Sequence, residues 1–389
     1  MNTSLRIALV LNPFTLRRKG GEHAPCISRE LLGRGHRVRV FGDVAGDVPH
    51  SRTPGEDEGI APLDGTGLRD FAPDVIVAYD GLSPAAWRGA RASASLDVPL
   101  VLVEEGLPDR GRAIERLLRA FGARAWGRLV RRQARRVVAL DPVAVARAQR
   151  EGFRPEIVTE LRAGVDIHSF RPGLHSALIG QPSVGQHVLL FIGRLEPDRG
   201  LEVLVDVFAR TVGQVSGWTL ALAATGSYRT RIRAQVERLG ISARVHWLGV
   251  PRAEELPGLL AGATALLVPA LDDDVASLKI RRAMAAGIPV LVSDVARLRG
   301  TVDHDETGLV VPAGDRAAWI EAVQRLASDP NRRARWGSRA RQVAVDSLSW
   351  EHVAERFEKV LHDAVSGHEA ERERAEADAA EDEAGAQPA

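Results

Sequence analysis

A single cysteine, Cys26, in 389 residues leaves no room for an internal disulfide framework or a cysteine-rich metal site. It reads as a small buried hydrophobe. No apolar run approaches the roughly 18 residues of a membrane-spanning helix. The stretch LRIALVL near the start is shorter than a signal-peptide core, so a first strand and a cytoplasmic protein are expected. The net charge is only +1, so whole-molecule steering toward nucleic acid is not implied. There is no G-x-G-x-x-G, and no acidic residue closes the second strand, so a dinucleotide fingerprint is missing.

What is present is alternation. Short runs rich in Val, Ile and Leu (6–11, 36–41, 74–79, 99–104, 136–140, 155–161) are separated by helical patterns, the first around 22–34. Such runs suit parallel strands covered on both faces. Pro172, Gly173, Gly180, Pro182 and Gly185 then punctuate a break. The alternation restarts with strands at 187–193, 218–224, 244–249, 265–270, 289–293 and 308–311, and helices at 200–211, 228–239, 253–261 and 277–286. The expected fold is α/β, with two doubly wound domains. The expected boundaries are 1–172, a linker at 173–186, and 187–348. Ser349 caps a last helix at 349–365 that carries Trp350, Val353, Phe357 and Val360 on one face. Residues 366–389 are charged and lack aromatic or branched aliphatic residues, so a disordered tail is expected.

Two such domains leave a cleft, and ligands of these sheets bind outside the carboxyl ends of the strands. Four junctions there suit an anion. In NPFTLRRKGGEHA, Gly20 and Gly21 allow close approach before a helix N-terminus, although a plain tight turn explains them equally well. In GRLEPDRG, Gly193 turns the chain, and Arg194 and Arg199 suit a diphosphate. A surface ion pair among Arg194, Glu196 and Asp198 is the plainer alternative. In AATGSYRTR, Gly226 would admit a ligand close to the backbone or simply end a strand. In DDDVASLKIRRAMAAG, a helix starts near Ser277 and Leu278, with Lys279 in its first turn. The helix dipole disfavours a cation there unless an anion is bound. Asp274 can accept hydrogen bonds from sugar hydroxyls, and Arg282 follows eight residues later.

Taken together these junctions resemble the retaining family-4 (group 1) glycosyltransferases of the two-domain GT-B architecture. The matching pieces run from RELLGRGHRVRVF through AGVDIHSFRP, GRLEPDRG and RVHWLGVPRAEEL to SLKIRRAMAAGIPVLVSD and ETGLVVPAGD. The resemblance implies two Rossmann-like domains and a last helix that crosses back to the N-terminal one. It implies that Arg194 contacts the donor diphosphate, that Arg199 keeps the charge of the family's usual lysine, and that amides near Ser277 and Leu278 meet the phosphates. The family usually has two glutamates eight apart. Here Asp274 takes the first place, facing the donor sugar. Arg282 takes the second, where it cannot accept from a ribose hydroxyl. Glu105 stands where many relatives have a histidine near the reacting carbon.

The activity so implied is transfer of a sugar from a nucleoside diphosphate sugar, as co-substrate, to a hydroxyl. Retention, no metal and no further cofactor are expected. The acceptor is unknown. A basic amphipathic segment at 110–136, with Ile114, Leu117, Leu118, Phe121 and Trp126 as an apolar stripe, suits an anionic membrane face and hence a lipid-linked or envelope glycan. An arginine-rich solvated face over a core helix is the plainer reading of that segment. A catalytically inert relative, with Arg282 paired to Asp272 or Asp273, remains the alternative to an enzyme. A sugar-nucleotide epimerase fits the fold but not GRLEPDRG.

Overall fold

The structure, a computed structural model, describes residues 4–11, 22–42, 61–62, 65–105, 124–179, 186–273, 275 and 277–385. The chain divides into two compact units, Met1–Arg162 with Val353–Ala389, and Ala163–His352.

The first unit carries β1 (Arg6–Leu11), α1 (His23–Gly33), β2 (Arg37–Gly42), β3 (Ala61–Pro62), α2 (Gly65–Phe71), β4 (Val75–Tyr79) and α3 (Pro84–Leu96). β5 (Leu100–Glu104), α4 (Gly127–Gln133), β6 (Ala134–Ala139), α5 (Pro142–Arg150) and β7 (Val158–Glu160) follow. All pairings are parallel, in the order β3-β2-β1-β4-β5-β6-β7. β4 and β5 are buried along their whole length, which is why their sequences are continuous apolar runs. Helix starts are written locally. Ser83 before Pro84 and Asp141 before Pro142 accept the amides of Ala86 (3.1 Å) and Ala144 (2.8 Å).

The second unit carries β8 (His187–Arg194), α6 (Leu201–Arg210), β9 (Trp218–Thr225), α7 (Arg229–Arg238), β10 (Val245–Trp247), α8 (Leu256–Ala261), β11 (Ala265–Val268) and α9 (Leu278–Ala285). β12 (Val290–Asp294), β13 (Gly308–Pro312), α10 (Arg316–Ser328) and α11 (Pro330–Ser347) complete it. Its six parallel strands run β10-β9-β8-β11-β12-β13. Both sheets therefore reverse winding beside their first strand, between β1 and β4 and between β8 and β11. Crevices at the carboxyl ends of such strand pairs are where ligands of doubly wound sheets bind.

Three expectations are corrected. The break after 172 is not the unit boundary. Val165 bridges to Ser349, and Phe170 and Ile179 are buried in the second unit's core, so the chain joins that unit from residue 163 onward. The tail is not disordered: α12 (Trp350–Gly385) continues through it. Val353, Ala354, Phe357, Leu361 and Ala364 form its buried stripe, with Leu361 taking the place expected of the half-buried Val360. Burying Phe357 and Leu361 contributes roughly 1.5–3 kcal/mol each. Beyond that stripe, Arg135 pairs with Glu371 at 2.6 Å, and the His368 ring Nε2 lies 2.9 Å from the Asp97 carbonyl. Ser349 does cap this helix, accepting the amide of His352 at 3.3 Å. Finally, Cys26 is half-buried rather than fully enclosed.

Candidate functional site

The site sits in the second unit, at the carboxyl ends of β8, β9 and β11. The turns that follow these strands hold one another. The Leu195 amide donates to Thr225 O (2.8 Å), and the Tyr228 amide to Leu195 O (2.9 Å). A Cβ on Gly226 would lie 2.3 Å from Leu195 O, so packing of backbone on backbone requires that glycine. On the other side, Leu271 N donates to Asp198 O (2.9 Å). Gly200 sits at φ 69°, with Pro269 O 1.7 Å from where its Cβ would be. The 193–200 turn is thus fixed between the other two.

Cations gather on this frame. Arg194 is exposed, whereas Arg199 is buried, with its Nη2 3.4 Å from Asp198 Oδ2. The two acids expected in a surface pairing with Arg194 also have partners of their own. Asp198 faces Arg199, and Glu196 accepts from the Ser227 hydroxyl at 3.0 Å. The half-buried Lys279 turns its ammonium inward. Nζ donates to Ile192 O at 3.0 Å and stands 5.6 Å from the Phe191 ring centroid, against Gly193. Burial first, and then the charge of Arg199, lowers this lysine to about 8. Ser277 is the N-cap residue of α9, but its hydroxyl accepts from Arg281 Nη1 (2.8 Å) instead of capping the helix. The amides of Leu278 and Lys279 precede the first intrahelical bonds, which start with Ile280 donating to Ser277 O at 3.0 Å, and the positive end of the helix lies beside Lys279.

The Arg282 guanidinium stacks 4.9 Å from the Phe170 ring centroid. Asp273 is engaged by Arg297, which donates from its amide to Oδ1 (2.9 Å) and from Nε to the carbonyl (2.7 Å). Asp273, one of the two acids expected to pair with Arg282 in an inert relative, is thus held by Arg297. Asp274, Gly20 and Gly21 lie outside the described residues, as do Ile114, Leu117, Leu118 and Phe121 of the basic segment. Within the described part of that segment, Trp126 faces its own unit. Its Nε1 donates to Leu82 O (3.1 Å), and its ring lies 5.8 Å from that of Trp87.

Glu105 lies in the first unit, just past β5. Near it is a buried pair that sequence reading missed: His23 Nδ1 lies 2.9 Å from the Tyr79 hydroxyl. Burial, then Glu105, then Cys26 push Tyr79 well above its ordinary value. Asp80 follows β4 in a left-handed conformation (φ 60°) and is buried. Glu104 accepts the Gly81 amide at 2.6 Å. An acidic residue directly after a strand-like run was the available signal for Asp80.

One cluster has the composition of a metal site: His36, Glu358 and His362, with ligand atoms within 4.8 Å of one another. The proton positions disfavour it. His36 Nδ1 accepts the Leu5 amide (3.1 Å), which places the neutral ring's proton on Nε2, the nitrogen 3.2 Å from Glu358 Oε1. No lone pair remains there for an ion, and Arg34 holds the other carboxylate oxygen at 2.5 Å. These residues instead fasten α12 to the β1–β2 side of its unit.

Comparison with known proteins follows this geometry. Residues 180–343 match the family of group 1 glycosyl transferases. A D-inositol 3-phosphate glycosyltransferase of Nocardia farcinica is 32% identical over 201 residues, covering 49% of this chain and 44% of that protein. Its counterpart in Rhodococcus erythropolis is 28% identical over 213 residues, covering 52% and 48%. The chain thus spans about half the length of the curated relatives it matches. Among solved structures, Anabaena HepE in complex with UDP superimposes with a TM-score of 0.72 at 20% identity, covering 92% of this chain and 99% of that one. Sucrose-phosphate synthase of Thermosynechococcus elongatus gives 0.67 at 20% identity, covering 93% and 99%. These likenesses establish the GT-B fold. Among the described residues no helix is long and apolar enough to cross a membrane.

Proposed function

With residues 180–343 matching the group 1 glycosyl transferases, we propose that this chain transfers a glycosyl group from a nucleoside diphosphate sugar to a hydroxyl acceptor. The observation that carries the reading is the pair of inward-facing cations, Arg199 and Lys279, at the winding reversal between β8 and β11. They stand where the first amides of α9 also point. A buried cation beside a second cation is costly unless an anion joins them. A diphosphate supplies that charge, and Arg194 at the rim gives it a bidentate partner.

The chemistry follows from where charge develops. As the bond from the anomeric carbon to the diphosphate breaks, its electron pair moves onto a phosphate oxygen. Fixed cations and amides stabilise that oxygen without having to reorganise. Side chains thus supply the charge, and the reading needs no metal or cofactor beyond the co-substrate. Retention is taken over from the family. Asp274 would face the donor sugar, Glu105 would act on the acceptor side, and Gly193 and Gly226 shape the donor turns. Relatives named for inositol phosphate point to a polyol hydroxyl as one acceptor class, and a lipid-linked or envelope glycan is another. Exposed Arg124, Arg128 and Arg132 would meet an anionic membrane surface. Salt-sensitive co-sedimentation with anionic vesicles tests that contact.

The test of the main reading is a thermal-shift and calorimetric panel of uridine, guanosine and adenosine diphosphates. At least one should raise the melting temperature, and Arg194→Ala should remove most of the shift. No binding by any of the three would favour an inert relative, whose donor site has been lost at Arg282.

A further inference from the structure

We propose that Lys279 couples diphosphate binding to proton uptake: its ammonium, resting on the Ile192 carbonyl in the empty site, turns to the incoming diphosphate and is held fully protonated there. The inference rests on the transfer reading and specifies how the donor site of that reading is gated by pH.

The geometry is that of a cation with no counter-charge among the described residues. There Lys279 donates one hydrogen bond, to Ile192 O, and an ammonium has three donors. Phe191 and Gly193 occupy the space around it. Among the described residues the charged group that acts on it is Arg199 from the 197–199 turn, which is positive. Asp198, the acid on that turn, is directed at Arg199. No carboxylate among the described residues lies within ion-pair distance of Nζ. The dipole of α9 adds a further positive potential, because Lys279 is in its first turn. Burial, Arg199 and the helix dipole favour the neutral amine before a diphosphate binds, against the Ile192 carbonyl and the Phe191 ring, which favour the ammonium.

A diphosphate reverses the balance. It brings negative charge to the ammonium and offers acceptors for the N–H groups that Ile192 O does not take. The proton is then retained. Near pH 8, about half of the empty sites carry a neutral Lys279, so binding takes up about half a proton per nucleotide. The sign follows. Affinity is full well below pH 8 and weakens as pH rises through it, by up to about tenfold per pH unit.

Calorimetry of the full chain with the diphosphate that binds best, at pH 8 in two amine or sulfonate buffers of different ionisation enthalpy, reads the proton count directly. At that pH the terminal phosphate is already ionised, since its own proton is lost near pH 6. The native protein should take up about half a proton. Lys279→Met should bind about tenfold more weakly and take up none. Lys279→Arg, charged throughout, should bind without uptake and so controls for folding and for the site's charge. Uptake that survives in Lys279→Met, or native binding with no uptake, overturns the role of Lys279 while leaving diphosphate recognition intact. If no nucleoside diphosphate binds the native protein, the transfer reading falls, and this inference falls with it.

Discussion

The two units share one plan and differ in what stands at the reversal of winding. In the second, cations stand there: Arg194 at the end of β8, Arg199 on the turn after it and Lys279 in the first turn of α9. In the first, the residues at the ends of β4 and β5 are Asp80, Glu104 and Glu105, near the His23–Tyr79 pair. Sheet order explains why each half has a crevice in that place, but not what it holds. Side-chain charge decides that, which is why one architecture serves many ligands. Among the described residues, one unit is prepared for an anion and the other is not.

The contrast is broken most severely at Arg199. Replacing it with Met removes a fixed charge from the buried side of the pocket and leaves Asp198 without the Arg199 guanidinium it faces. Turnover of a nucleotide sugar should fall by about 10²–10³, measured as release of the diphosphate. If Arg199→Met retained native turnover, the anion site would have to lie elsewhere in the second unit. Next in size is Glu358, which binds Arg34 and His36 within the first unit and is itself buried. Glu358→Ala leaves an arginine and an enclosed histidine without their acid and should cost about 3 kcal/mol, seen in denaturant melts. Diphosphate binding, a property of the second unit, should persist below the transition.

Glu105 sharpens the comparison with a smaller effect. Glu105→Gln should leave the affinity for nucleoside diphosphates unchanged and lower acceptor-dependent turnover by about tenfold, the value of one charged hydrogen bond. Removing its charge should also bring the titration of Tyr79 down, toward its ordinary value. Tyrosinate absorbance in a Tyr228→Phe background, where Tyr79 is the one tyrosine left, reads this. A diphosphate affinity that moved with Glu105 would mean that the division of labour between the units is wrong.

Much of this was legible in the sequence because buried parallel strands are written as continuous Val, Ile and Leu runs, and twelve of them stood out before any coordinates. β3, at two residues, is too short to carry a pattern. The junction at 163–186 misled because Pro and Gly punctuate linkers and ordered surface chain alike. What ties it to the second unit is burial of Phe170 and Ile179, a long-range fact. The cluster of cations was visible since Arg194 ends a strand, Arg199 lies on the turn after it, and Lys279 stands in the first turn of a helix. The direction of Arg282 was not, because it depends on Phe170, a residue far away in sequence that no local pattern connects to it. His23 and Tyr79 escaped for the same reason: each reads alone as an ordinary core residue.

The smallest expected effect concerns the tail, where composition and structure disagreed. Residues 366–385 are poor in apolar side chains, which argues against a packed segment, but Ala, Glu and Arg are among the strongest helix formers. Here they extend a helix already nucleated and packed through Ala364, so the nucleation cost is not incurred again. Arg372 and Glu376 add an i,i+4 pair at 3.3 Å. Residues 369–379 are nonetheless exposed along their length, so the segment contributes helicity without core. Deleting 374–389 keeps His368 and Glu371, the last of the described residues shown in contact with the first unit's Asp97 and Arg135. It should lower the helical ellipticity at 222 nm while moving unfolding by less than about 0.5 kcal/mol. An unchanged spectrum would mean that the tail is uncoiled in solution. A large loss of stability would mean that the first unit depends on contacts beyond the Arg135–Glu371 pair.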